Sequence, residues 1–301
     1  MALLERLKRK LNSMKKNWKP RIRELKYTLR QLRKTQITIF GIGLILFFIF
    51  LGAIGPAIVP YEIGLYKPSI KLLPPSRDHL FGTDRFGQDI LSRCILALLI
   101  DLRIAVIVVF FAVLLGIIIG GVAGYWGGSV DEVLMRITEI FLAVPGLILA
   151  MAVGMTFNAR GMDVILYSLI PVWWPAYARL MRGEVKSEKE KLYVDAARAV
   201  GLSDTKILIK HIFPNAISSA LILATLDLGG VLLTTAALSF IGFGPRPGAA
   251  ELGLMVFEGQ SYLSSAPWYV FFPGMILFLI VMGFNLLGDG LRDVFNPRIR
   301  R

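Results

Sequence analysis

The sequence predicts an all-α membrane protein with six transmembrane helices, and three observations carry that prediction. Of its 301 residues 55% are hydrophobic and the mean hydropathy is +0.64, too apolar for a soluble domain of this length. Charge-free runs of 23 residues stand at Ile37 to Val59 and Ile104 to Trp126, each longer than the ~20 residues a helix needs to cross a bilayer core. The net charge of +13 is also concentrated: residues 1–36 hold 13 basic and 2 acidic side chains, or +11 of the total, directly before the first run.

Taken in order, the arm at 1–36 has a composition that nucleic-acid binders share. Its position before a span reads instead as a topology signal and an anchor on anionic lipid headgroups. It lacks the short apolar core and small-residue cleavage site of a signal peptide. The first span is 37–59. A polar connection at 60–103 follows, broken by Pro74 and Pro75 and containing HLFGTDRFGQDILSR from His79 to Arg93, where Asp84, Arg85 and Asp89 read as a solvated cap. The run Ile104 to Trp126 continues into a stripe of Gly116, Gly120, Gly124 and Gly128, a spacing that lets another helix approach closely. A polar turn from Gly127 to Arg136 leads to Ile140 to Phe157, the third span, beginning near Met135 and containing Pro145.

Val164 to Ala178 has 15 charge-free residues with Pro171 and Pro175, a length that fits either a re-entrant segment or a span. With Arg179 and Leu180 at a snorkelling end it forms the fourth span. Ile217 to Phe243, interrupted only by Asp227, is the fifth, and the charge-free run Pro267 to Gly288 is the sixth. A core of five spans thus occupies 104–290, with a tail at 291–301. Basic residues test the sidedness. Arg179 to His211 carries eight, whereas the loop at Asn158 to Asp163 has only Arg160 and that at Gly244 to Ala266 only Arg246, which places both termini and the charged loop in the cytoplasm and 60–103 outside it.

That charged loop, 182–216, is patterned to fold. Tyr193, Ala196, Ala197 and Val200 fall at i, i+3, i+4 and i+7, giving one small apolar helix face. Gly201 accepts the left-handed conformation that ends a helix, and Ser203 is an N-cap with Asp204 in the next first turn. A second helix closed by Pro214 completes a helix-turn-helix, which the residues alone leave open to a hairpin lying on the membrane surface. The single cysteine, Cys94, excludes an intrachain disulfide and a cysteine metal cluster, and His79 and His211 are the only histidines. No GxxxxGK[ST] loop cradles a nucleotide phosphate. Asp227 is ionisable within a span, at a cost of about 2.5 to 3.5 kcal/mol on insertion scales, so it faces protein or water. It reads as a group lining a translocation path or as a buried hydrogen bond to a partner subunit.

The residues YVDAARAVG followed by KHIFPN resemble the cytoplasmic EAA loop of ABC importer permeases, with Asp195, Ala196, Ala197, Gly201 and Pro214 in register. Asp195 stands for Glu, His211 takes the aliphatic slot with Ile212 one place on, and Phe213 replaces Leu. LFGTDRFGQDILSR, GYWGGSVDEVLMRITEIFLAVP and LGDGLRDVFNPRIR are similar to segments of the C-type permeases of dipeptide, oligopeptide and nickel importers. Together these cover nearly everything after Gly41. The resemblance implies a type I ABC importer permease fold and a non-catalytic, multi-pass cell-membrane subunit forming half of the substrate pathway. It implies that Asp195, Ala196, Ala197, Gly201, Leu202, Ser203, Asp204, Thr205 and Lys206 couple to an ATPase. The partners implied are a second, B-type permease, two cytosolic ATPases that bind ATP and Mg, and an extracytoplasmic binding protein, with no cofactor in this chain itself. The cargo implied is a di- or oligopeptide, with oligosaccharide or nickel as alternatives. A self-contained ion-coupled carrier or channel is the reading of a different class. Carriers carry paired halves and several intramembrane charges, whereas this sequence has Asp227 and no evident repeat.

Overall fold

The computed structural model describes residues 35–157 and 161–295. The basic arm up to residue 34, Arg160 and the tail from residue 296 lie outside them. The described chain forms α1 Gln36–Ile58, α2 Ile90–Trp126, α3 Gly128–Ala143, α4 Gly146–Thr156, α5 Met162–Lys189, α6 Leu192–Ala199, α7 Asp204–Ile207, α8 Phe213–Leu238, α9 Leu252–Gln260 and α10 Trp268–Phe295. By length and composition α1, α2, the continuous α7–α8 helix and α10 are able to cross a membrane. The pair α3 and α4 makes a fifth crossing if counted as one, although it is bent by 93°. The break follows from Pro145, which has no N–H and forces Val144 into extended backbone at ψ 131°. The expected third span is therefore two helices. Pro171 and Pro175, by contrast, stay inside α5, a 28-residue helix whose last turns are charged.

The axis of the bundle is α2, with 37 residues, about 55 Å at 1.5 Å per residue. Its glycines are where α5 lies against it. A Cβ added at Gly116 would overlap that of Tyr177, one at Gly120 would overlap the Ala178 carbonyl, and one at Gly124 would sit 2.7 Å from the Arg182 carbonyl. Gly128 takes no part in this contact and instead opens α3 with φ +53°. On the other flank α1 packs on α10, where Gly41 is held against Leu286.

The sequence places the second span at Ile104, yet the helix begins fourteen residues earlier, at Ile90. Asp89 starts it by accepting from the Ser92 backbone N–H at 2.8 Å. The charges in those first turns are concealed by pairing. Arg93, with no side-chain exposure, donates to Asp84 at 2.5 Å, to Glu258 at 3.0 Å and to the Ala249 carbonyl at 2.6 Å. The Tyr269 hydroxyl donates to Glu258 at 2.8 Å, so α2, α9, α10 and the preceding loop meet in one network. Asp84 is buried in it and Asp89 is buried nearby against His79 and Ser92, which corrects the solvated-cap reading of both. Burial pushes the Asp84 carboxyl above the usual carboxylate range, and Arg93 with the backbone N–H groups of Gln88 and Phe86 pulls it back.

Candidate functional site

At the opposite end of α2 the chain leaves α5 and makes the turn around Gly201. Gly201 has φ +80°, the left-handed region expected of a helix stop. Its N–H donates to the Arg198 carbonyl at 2.9 Å and the Leu202 N–H reaches back to the Ala197 carbonyl at 3.2 Å. These two bonds are a Schellman closure, which satisfies carbonyls that the end of α6 would otherwise leave free.

The face that α6 buries differs from the expected one. Val194 and Ala197 are buried and Tyr193 half-buried, while Ala196 and Val200 are exposed. Tyr193 is turned inward by its hydroxyl, which donates to the buried Glu188 carboxylate at 2.7 Å. Burial, then this bond, holds the phenol above its ordinary range. Lys191 closes the same carboxylate from the other side.

Ser203 occupies the N-cap position of α7 in extended backbone, but its side chain makes no capping bond. Asp204 in the first turn is instead held by Tyr125, whose hydroxyl donates to it at 2.5 Å. The second helix is not closed by Pro214. After α7 the backbone widens into a π turn at Leu208–Ile212 and runs directly into α8, where Pro214 sits in the first turn. A proline is tolerated at that position because its missing N–H needs no partner, and the wider turn relieves its ring against the preceding carbonyls. Ile207, Leu208 and Ile212 are buried beneath, packed with Val185 and Met181 of α5.

What remains outside is a continuous exposed stretch from Arg198 to Lys206 that includes Gly201, Leu202, Ser203, Asp204, Thr205 and Lys206. Val200 is 81% exposed, and Leu192 at the start of α6 is 86% exposed. Asp195 is exposed and pairs with Arg198 at 3.6 Å, an interaction that water screens. Beside it a groove of about 520 Å³ is lined by Gly124 and Gly127 of α2 and its turn, Lys186 and Lys189 of α5, and Asp195 and Arg198 of α6. Two further anchors lie beneath. Asp131 of α3 accepts from Arg182 at 2.5 and 2.7 Å and from Lys186 at 2.8 Å, and Lys189 donates to the Tyr125 carbonyl. Sequence reasoning missed Tyr125, Asp131 and Glu188. Their partners are 51 to 79 residues away for the first two, and only the i, i+5 spacing of Glu188 and Tyr193 was available as a signal.

Asp227 is not part of this turn. It lies half-buried on α8 facing Tyr177 of α5, whose buried hydroxyl has no hydrogen-bond partner among the described residues. One helical turn further on, Gly230 packs against the Trp173 ring. Trp173 in turn lines an apolar groove of about 390 Å³ with Gly146, Leu147, Leu233 and Thr234.

Residues 112–301 match the family described as binding-protein-dependent transport system inner membrane component. The chain is similar to the dipeptide transport system permease protein DppC of Alkalihalophilus pseudofirmus, 35% identical over 90% of this chain and 89% of that one. It is also similar to the oligopeptide transport system permease protein OppC of Bacillus subtilis, 33% identical over 92% and 90% of the two chains. Among solved structures, an inward-facing MetNI methionine ABC transporter matches with a TM-score of 0.58 at 19% identity, covering 68% of this chain and 98% of that one. At that identity the likeness is one of fold.

Proposed function

Because the chain belongs to the family of binding-protein-dependent transport system inner membrane components, we propose that it is the permease subunit that couples ATPase closure to uptake of di- or oligopeptides through a pathway it half-lines. The observation that carries this is the shape of the Gly201 turn. A rigid knuckle, anchored from below by Ile207, Leu208 and the Tyr125–Asp204 bond, offers Val200 and Leu202 outward. Large apolar side chains held at the tip of a polar turn fit a helix-in-groove contact with another protein. In this reading the groove belongs to a cytosolic ATPase, and Asp195, Ala196, Ala197, Gly201 and the residues from Leu202 to Lys206 form the joint.

Two ATPases holding ATP and Mg, a second B-type permease and an extracytoplasmic binding protein complete the assembly. Six crossings follow if the bent α3–α4 pair and α5 each span, and the basic residues of the 182–216 loop then favour that loop and both termini in the cytoplasm, with 60–103 outside. The peptide assignment draws on the relatives named for dipeptides and oligopeptides. Oligosaccharide and nickel are the alternative cargoes. In this reading Asp227, facing Tyr177, lines the path. This chain is a membrane component and not a catalyst.

Purification of the tagged chain from its own cells is the direct test. Two ATPases and a second permease retained in equal amounts, with ATP-dependent uptake of a labelled dipeptide by the reconstituted assembly, are expected. A chain that transports alone overturns the reading in favour of a self-contained carrier.

A further inference from the structure

Asp101 lies on α2 two turns beyond Arg93 and is only 4% exposed. Its Oδ2 accepts from the Leu252 N–H, the first of α9, at 3.2 Å, and its Oδ1 has no partner among the described residues. The residue before Leu252 is Glu251, 1% exposed, whose carboxylate caps α9 by accepting from the Gly253 and Leu254 N–H groups at 2.9 and 2.5 Å. Two buried carboxyl groups therefore sit at the start of one nine-residue helix, each within the field of the other.

Asp101 has no cation of its own. Arg93, on the same helix, is bonded through its terminal nitrogens to Asp84, Glu258 and the Ala249 carbonyl, while its Nε–H has no partner among the described residues and its charge favours the Glu251 carboxylate. Arg103, two residues further on, is exposed. The helix α1 carries no ionisable side chain, and α10 contributes only the Tyr269 hydroxyl, which Glu258 accepts. On α2 the remaining titratable neighbour is the buried Cys94 thiol. From α8 and the π turn Ser239–Phe243 that follows it come the hydroxyls of Thr235 and Ser239, one turn apart, both buried and without a hydrogen-bond partner among the described residues, with Gly253 packed on Ala236 between them.

A helix start stabilises one anion well, and Glu251 takes that role with two N–H donors against one for Asp101. A second carboxylate beside it, buried and uncompensated, is strongly disfavoured, whereas a neutral acid leaves at most one O–H unsatisfied. We propose that Asp101 is a proton-binding site: it takes one proton from solvent and, as a neutral acid, latches the start of α9 onto α2, while Glu251 remains the capping anion. Release of that proton places a second negative charge in the latch and loosens the α2–α9 contact, so the segment Gly244 to Gln260 opens at alkaline pH.

Infrared spectroscopy of the full chain in lipid nanodiscs tests this directly. The carbonyl stretch of a protonated carboxylic acid is expected at neutral pH, lost on titration to alkaline pH, absent in Asp101→Asn and retained in Asp227→Asn. Glu251→Gln removes the neighbouring charge, and the titration midpoint is then expected at higher pH if burial dominates the missing cap and at lower pH if charge repulsion does; the proposal requires the lower one. No protonated-acid band at neutral pH, a band that Asp101→Asn leaves in place, or a midpoint that Glu251→Gln fails to lower overturns the proposal. If Asp101→Asn does not fold, the titration of the unmodified chain and of Glu251→Gln still decides it.

Discussion

The Tyr125 hydroxyl donates to the Asp204 carboxylate at 2.5 Å, joining the last turn of α2 to the first turn of α7. Through this bond the 37-residue α2 holds the base of the turn that presents Val200 and Leu202. Tyr125→Phe and Asp204→Ala are each expected to cost about 1 kcal/mol of local stability. The double variant is expected to cost scarcely more than either alone, because both remove the same bond. A double-mutant cycle on thermal unfolding in detergent checks this; strict additivity means that the two side chains act independently.

The glycine stripe makes a steric prediction. Gly120→Ala places a methyl group against the Ala178 carbonyl, and Gly116→Ala places one against Tyr177. Each is expected to destabilise the chain by about 1–3 kcal/mol as α2 and α5 are forced apart. Gly43→Ala, at a position with open space, is expected to be neutral or slightly stabilising. The ranking of melting temperatures is the readout.

Arg93 predicts an asymmetry. Arg93→Met leaves buried Asp84 without a cation and Glu258 with only Arg85, and the expected cost is about 3–5 kcal/mol. Arg85→Met removes only a half-exposed partner of Glu258 at 3.3 Å and is expected to cost under about 1 kcal/mol. Equal losses in the two variants, measured by chemical unfolding, count against a network centred on Arg93.

Asp227 separates path from packing. Asp227→Asn keeps the shape of the side chain beside Tyr177 while removing its charge. If it lines the path, uptake of cationic peptides is expected to fall relative to neutral ones; unchanged uptake of both classes removes it from the path.

Much of the architecture was legible because apolar length is a local signal. Ile37 to Val59 falls on α1 almost residue for residue, and Pro267 to Gly288 falls on α10, which runs on past Gly288 to Phe295. Gly201 was legible for the same reason, since a helix stop depends on one residue's backbone freedom. The start of α2 was not, because hydropathy treats Arg93 and Asp101 as surface groups, and only long-range pairing with Glu258, Asp84 and the start of α9 hides them. The buried face of α6 was missed by one position, because the Tyr193 hydroxyl follows Glu188 and draws Val194 inward in place of Val200. Pro214 was read as a stop when it begins a membrane helix, a distinction that rests on the π turn before it and has no marker in the sequence.

The central claim is that the Gly201 turn transmits ATPase closure to the membrane helices, and Gly201→Val tests it most directly. No atom lies within 4 Å of a Cβ added there, so the substitution creates no clash. At φ +80° it instead imposes about 1–2 kcal/mol of backbone strain that only a rearranged turn relieves. In proteoliposomes holding the purified assembly, the variant is expected to insert and to hydrolyse ATP while its uptake of labelled peptide per ATP falls severalfold. An unchanged ratio of uptake to hydrolysis, in a variant whose turn is the only altered element, contradicts the account.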